Sequence, residues 1–301
     1  MTPRVSIVVP TRNRRAGLAR ALDSVAGQGF RDYEVIVVND ASDDDTAAWL
    51  RDHNHECRVV TLDKRAGAAA ARNRGVAESR GEFVAFLDDD DAWRPTYLDA
   101  QVRSLDANPA AALSFTGHLE IDGASGRTAA PDTAPLLDYP TTLVRLCAEG
   151  FIHTMSVVVC RRELFARVGA LDERLAVVHD LEWYCRVLQG GQRFVHLPDV
   201  LVARSVPGGL VTRYRAWFQE EQAVLSRVLG GDPDEALVRT CRSLFFARLA
   251  LAQGDLAFGF RRLGEASLAS PRWAISIAAR RLARRVRRRA QGALPGWATA
   301  S

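Results

Sequence analysis

A chain of 301 residues, set against roughly 150 per domain, has room for about two domains and a core that needs no disulfide or metal staple. With 48% hydrophobic and 25% charged residues it has a globular composition, which excludes disordered, fibrous and mini-protein scaffolds. The net charge of +4 hides an asymmetry: ten arginines against Glu265 alone give 261–301 a charge of +9 and leave 1–260 at −5. Cys57, Cys147, Cys160, Cys185 and Cys241 show neither CxxC nor Cys/His spacing, so no disulfide framework or zinc site is expected and the expected compartment is reducing cytosol. The apolar run Val5–Val9 ends at Pro10, too short for a signal peptide, and no run approaches the roughly 18 residues of a membrane span.

The first hundred residues alternate β-branched runs with amphipathic stretches, the pattern of a parallel sheet covered by helices. Strands are predicted over Arg4–Pro10, Tyr33–Asn39, Arg58–Leu62 and Glu82–Leu87, and helices over Arg14–Ala26, Asp44–His53, Gly67–Ser79 and Pro95–Leu105. Right-handed crossovers would bring Pro10–Asn13, Asn39–Ser42, Asp63–Gly67 and Asp88–Asp91 to one crevice at the carboxyl ends of the strands. Beyond Leu105 the pattern predicts a strand over Ala112–Ile121, a polar loop over Asp122–Pro135 and a strand over Thr154–Cys160. A helix from His179 places Asp180, Trp183 and Val187 on one face, followed by strands over Arg193–His196 and Val200–Arg204. From Tyr214 only helices are expected, over Glu235–Gln253, Leu256–Ala269 and Pro271–Gln291, which places a domain boundary at 214 and a helical extension over 215–301.

Four adjacent carboxylates, Asp88–Asp91, end a hydrophobic strand, and like charges so close need cations or donors to compensate them. Oxygen ligands at a strand end suit Mg²⁺ or Mn²⁺ shared with a diphosphate, because Mg²⁺ usually takes only one or two protein carboxylates. The alternative is a solvated acidic turn before the next helix. Around it, Gly67 and four alanines let the backbone approach a ligand, and Arg72 offers a cation suited to a diphosphate unless it is a helix-surface arginine. Asp40 is either a ligand contact or the N-cap of the following helix.

Taken in order, VSIVVPTRN, YEVIVVNDASDDDT, GAAAARNRGV, GEFVAFLDDDD and ALDERL with HDLEWYCRV resemble family 2 glycosyltransferases over about Arg4–Tyr214. The resemblance implies an α/β GT-A fold, a Rossmann-like nucleotide-diphospho-sugar transferase fold with a mixed, mainly parallel sheet. It also implies inverting transfer from a nucleoside diphosphate sugar, assisted by Mg²⁺ or Mn²⁺. It carries Pro10, Thr11, Arg12 and Asp40 to the base, Arg72 to the diphosphate and Asp89 to the ribose, with Asp88 the first acid of a D-x-D reading and Asp90 the metal ligand. Asp180 becomes the base that deprotonates the acceptor hydroxyl.

Three positions depart from the family pattern: Arg12 replaces an aromatic residue, His179 replaces a Glu, and Ser205–Val206 stand where some relatives carry a histidine. His153 and His179 are the acceptor-side candidates, and no QxxRW-like segment follows Trp183, which disfavours processive synthesis. In the terminal stretch Trp273, Ile275, Ala279, Leu282, Val286 and Ala290 share a helical face, with arginines largely on the others. Such a helix would either contact an anionic membrane or pack on the protein; nucleic acid is not an expected partner. The expected acceptor is a glycan, a lipid-linked sugar or a small molecule, in cell-envelope synthesis at the cytoplasmic side. A nucleotide-sugar-binding module without turnover and a peripheral membrane scaffold are the alternatives.

Overall fold

A computed structural model of the chain describes residues 2–52, 56–122, 128–129, 141–206, 214–277 and 280. Strand β1 (Val5–Thr11) is buried along its whole length and lies between two parallel neighbours, β2 (Tyr33–Asn39) and β4 (Phe83–Phe86). A strand enclosed on both faces explains why VSIVVPT reads as a continuous apolar run and not an alternating one. Strand β3 (Arg58–Thr61) joins the far side of β2, again in parallel.

The connecting helices are α1 (Arg15–Ala26), α2 (Thr46–Asp52) and α3 (Ala68–Glu78). Helix α1 buries Leu18, Ala21, Leu22 and Val25, spaced i, i+3, i+4 and i+7. Helix α3 packs on β1 through Gly75, where any Cβ would overlap the Val8 side chain. The register aligns Thr11 with Asn39 and Asn39 with Thr61, so three strands end along one rim. Residues Leu87–Asp91 continue from β4 onto the same rim, anchored by the bond from Leu87 N–H to Val8 O.

Beyond β4 the sheet is mixed. Its order is β3-β2-β1-β4-β8-β6-β9-β5, formed with β5 (Ala92–Trp93), β6 (Ala111–Asp122), β8 (Val158–Arg161) and β9 (Arg193–Val206), while β7 (Thr128–Ala129) pairs with β6. Strand β8 runs antiparallel to β4 and β6, β9 pairs in parallel with β6, and β5 runs antiparallel to β9. Helix α4 (Tyr97–Ala107) links β5 to β6. Two expectations change here. The strand expected from Thr154 begins only at Val158, because Thr154 Oγ1 accepts from Ser156 N–H and closes a 3₁₀ turn over Met155–Val157. The two strands expected after 193 are one, β9, whose parallel pairing with β6 slips between Leu197 and Val200. Pro198 lies in that slip and has no N–H to give the ladder.

The chain divides into two compact units, Met1–Thr133 with Gly150–Val228, and Ala134–Glu149 with Leu229–Ser301. The first also contains α6 (Leu164–Val168), α7 (His179–Gln189) and nearly all of α8 (Tyr214–Leu229). In the second, α5 (Thr142–Glu149) packs on α9 (Glu235–Ala252), and α9 forms a hairpin with α10 (Leu256–Ala269). This division differs from a boundary at 214: α8 stays with the first unit, and α5 buries Val144, Leu146 and Cys147 within the second. Among the described residues no helix is long and apolar enough to cross a membrane. Most of the polar loop expected over Asp122–Pro135 and most of the basic helix expected over Pro271–Gln291 lie outside the described residues.

Candidate active site

The rim of parallel strand ends opens into a cleft of about 660 Å³ within the first unit. All eleven residues singled out from the sequence line it: Pro10 and Thr11 at the end of β1 with Arg12 just beyond, Asp40 after β2, Arg72 on α3, Asp88–Asp90 after β4, His153, and His179 with Asp180 at the start of α7.

Each carboxylate of the acidic turn has its own support. Asp88 receives Arg72 and, at 3.0 Å, Thr154 Oγ1, while its backbone N–H donates to Ser156 Oγ at 3.0 Å. Asp89 is buried, accepting from Thr11 Oγ1 at 2.7 Å and Arg14 Nη1 at 3.2 Å. Asp90 also receives Arg14. Asp91 turns inward to accept the Ser205 N–H at 3.0 Å, with Thr154 Oγ1 at 3.3 Å. Gly17 permits this packing: a Cβ there would lie 2.5 Å from the Asp89 carbonyl oxygen.

The charges are unequal in consequence. Burial works against the Asp88 anion, but Arg72 and Thr154 outweigh it and hold that carboxyl below its usual range. Burial lifts Asp89 to about 6 despite Thr11 and Arg14. Burial, then repulsion from Asp88, raises Asp90 and carries Asp91 to about 8. Asp91 is thus a buried strut in this turn, and Asp88 and Asp90 are the neighbouring carboxylates whose mutual repulsion a cation would relieve.

Among the described residues no group of three or more His, Cys, Asp or Glu side chains could enclose a metal ion. The donor set of hard oxygens beside an open cleft fits an ion that takes one or two carboxylates and completes its shell from a ligand and water.

Asp40 settles one alternative. Its two carboxylate oxygens accept from the backbone N–H groups of Ala66 at 2.6 Å and Gly67 at 2.9 Å. It ties the end of β2 to the loop before α3 and does not cap α2, where Asp44 instead accepts from Thr46 N–H. Gly67 makes that turn at φ 94°, a region that favours glycine. Arg12 reaches Asp43 at 3.4 Å.

Arg72 is no surface arginine. It is 6% exposed, and beyond Asp88 its Nη1 lies 2.7 Å from His179 Nε2. Burial alone would lower the guanidinium pKa, but Asp88 and then Asp180 raise it, so Arg72 stays charged. Burial and the adjacent Arg72 charge depress His179, which makes its ring a neutral acceptor for Arg72. Its Nδ1 is buried without a partner. Asp180 is half-buried and accepts from the following Leu181 N–H at 2.7 Å. His153 lies across from His118, ring centroids 5.2 Å apart.

Two participants have no signal in the sequence: Arg14, two residues beyond Arg12 in the same stretch, bridges Asp89 and Asp90, and Trp217 lines the cleft. Thr154 lies in the stretch Phe151–Met155, which the sequence marks as a source of pocket side chains.

Comparisons with known proteins agree with this architecture. The Glycosyl transferase family 2 profile matches residues 6–169. The succinoglycan biosynthesis protein ExoO of Rhizobium meliloti is 34% identical over 221 residues, 70% of this chain and 63% of ExoO. The chain spans less than two thirds of the length of the curated relatives it matches, including 62% of an uncharacterised glycosyltransferase from Haemophilus influenzae. Among solved structures, S. aureus TarS 1-349 in complex with UDP-GlcNAc superposes with a TM-score of 0.62 at 19% identity, over 91% of this chain and 83% of that one. The mannosyltransferase PcManGT of Pyrobaculum calidifontis, in complex with GDP-Man and Mn²⁺, gives 0.56 at 22% identity, over 98% and 77%. At these identities the superpositions establish the GT-A fold, and the profile, covering more than half the chain, establishes the lineage. The chain belongs to glycosyltransferase family 2.

Proposed function

We propose that the chain is an inverting, metal-assisted, non-processive glycosyltransferase. It moves a sugar from a UDP-, GDP- or dTDP-linked donor to a hydroxyl of a cell-envelope polysaccharide or glycolipid. The observation that carries this reading is one cleft lined by Asp40, Arg72, the acidic turn and Asp180, with Arg72 bonded to Asp88 and close enough to Asp180 to feel its charge. Support for the donor and metal comes from the contents of the TarS and PcManGT complexes, and for the acceptor from the naming of ExoO as a succinoglycan biosynthesis protein.

In this mechanism Pro10, Thr11, Arg12 and Asp40 hold the base, and Asp89, fixed by Thr11, meets the ribose. Arg12 can stack its guanidinium plane on the base. Asp90, with Asp88 beside it, would hold Mg²⁺ or Mn²⁺, which when bound neutralises charge developing on the leaving diphosphate. Arg72 adds a fixed cation to the same diphosphate. Asp180 takes the proton of the acceptor hydroxyl as that oxygen bonds to C1 from the face opposite the diphosphate, whose bond to C1 breaks with inversion. His153 and the neutral ring of His179 face the acceptor. The Arg-rich terminal segment would hold the protein against an anionic membrane beside a lipid-linked acceptor.

The test is calorimetric titration of UDP, GDP and dTDP into wild type and Asp90→Ala, with and without Mn²⁺. Mn²⁺-dependent binding of one nucleotide, lost in Asp90→Ala, is expected. Absence of binding by all three overturns the donor-site reading. With the matching nucleotide sugar, Asp180→Asn should bind and not turn over.

A further inference from the structure

Helix α8 contributes more to the cleft than the wall at Trp217. One turn later, Glu220 points its carboxylate at three consecutive backbone amides: Oε1 accepts from Ala176 N–H at 2.7 Å, and Oε2 from Val177 at 2.7 Å and Val178 at 2.8 Å. Those amides lead directly into α7, whose first residues are His179 and Asp180. Helix α7 lacks a cap of its own, because Val178 occupies the N-cap position and an apolar side chain cannot accept from the N–H groups of a first turn. Glu220 does not bond the first-turn amides themselves, since its three donors precede His179; it fixes the chain that enters α7 and brings a negative charge to the N-terminal end of that helix.

The segment before α7 is held at two points. Its beginning is clamped by Asn73, which accepts the Leu171 N–H at 2.9 Å and donates to the Leu171 carbonyl at 2.9 Å. Its end is clamped by Glu220. Glu173, Arg174 and Leu175, which line the cleft, lie between the two.

We propose that Glu220 is a positioning residue for the transfer reaction. By fixing the amides of Ala176–Val178 it sets the start of α7, and so the direction in which Asp180 meets the acceptor hydroxyl. It touches neither donor nor acceptor. The inference rests on the reading of Asp180 as the base. It predicts that losing Glu220 slows turnover and leaves nucleotide affinity intact, because the groups assigned to the nucleotide lie on β1, β2, α3 and the acidic turn.

The test compares the full chain as wild type, Glu220→Gln and Glu220→Ala. Amide hydrogen exchange is followed over 172–181. Mn²⁺-dependent hydrolysis and transfer are measured with the UDP-, GDP- or dTDP-sugar whose nucleotide binds. Glu220→Gln keeps one acceptor oxygen and guards against a variant that fails to fold. Exchange over 176–178 should rise about tenfold or more in Glu220→Ala, since bonds to a charged acceptor are among the stronger ones, with Glu220→Gln intermediate. The turnover number should fall about tenfold to a hundredfold in the same order, with donor KM and nucleotide Kd within about twofold of wild type, the pattern of a misplaced catalytic group. Unchanged exchange, or raised exchange with an unchanged turnover number, overturns the proposal. A wild type that binds nucleotide and turns over no donor overturns the assignment of Asp180 instead, and the positioning role with it.

Discussion

Replacing Arg72 by Met keeps much of the side chain's volume and removes its charge, which isolates the worth of the Arg72–Asp88 pair. The Arg72 side chain is 7% exposed and that of Asp88 24%, so the pair is largely but not wholly desolvated. Breaking a fully buried pair from one side costs about 3–5 kcal/mol, because the partner charge is left uncompensated. The partial exposure of Asp88 and its remaining bond from Thr154 lower the expectation to about 2–3 kcal/mol. His179 Nε2 loses its donor as well. Urea unfolding of the metal-free protein, followed by tryptophan fluorescence, measures the loss, since Trp183 is fully buried four residues along α7 from His179. The double variant Arg72→Met/Asp88→Asn removes both charges and should regain about half of that loss or more, a coupling typical of contacting residues. A single-variant cost below about 1 kcal/mol, or a double variant as unstable as the sum of the singles, would refute the pair as the main support of the acidic turn.

Two further outcomes follow from the packing and charge already described. Gly17→Ala places a Cβ 2.5 Å from the Asp89 carbonyl oxygen, a backbone atom with little room to yield, so a loss of about 1–3 kcal/mol in chemical denaturation is expected together with weaker nucleotide binding; a variant as stable as wild type would mean that α1 and the acidic turn are not in contact. Burial disfavours the Glu34 anion, but bonds from Arg80 and Ser6 outweigh it and lower its pKa from the ordinary 4.5. Its contribution to stability is therefore complete above that value and disappears as pH falls through the lower folded one, so Glu34→Gln should be less stable than wild type at pH 7 and the gap should close on acidification. A gap independent of pH would show that Glu34 acts through shape alone.

What could be read in the sequence follows from how local the causes are. β1, β2 and β4 were legible because strands buried on both faces must be runs of Val, Ile and Phe, and α1 because its apolar residues repeat with the helical period. Helix α10 matches its expected limits of Leu256–Ala269, where Asp255 caps the start by accepting from Phe258 N–H. Pro10–Arg12, Asp40 and Asp88–Asp90 were legible because parallel crossovers bring strand ends together, whereas Asp180 and the two histidines beside the acceptor were legible only through the family resemblance. The partners of those residues were not. The bridge from Arg14 to Asp89 and Asp90 spans about 75 positions, and the Glu220 carboxylate meets amides more than 40 positions away. The slip in the β6–β9 ladder depends on register between strands that are remote in sequence. Nor does any local pattern around Thr142–Glu149 tell which partner its apolar face will meet.

Arg14, bridging Asp89 and Asp90, means that the acidic turn carries its own counter-ion. Metal sites whose ligands repel one another without relief can make folding wait for the ion, as in small zinc modules that are unfolded when empty. An acidic turn already paired with Arg14 does not need an ion in order to form, so the proposed mechanism makes folding and cation loading separate events. On the proposed mechanism the ion would then arrive with the diphosphate, as a guest of the substrate and not as a scaffold for the chain.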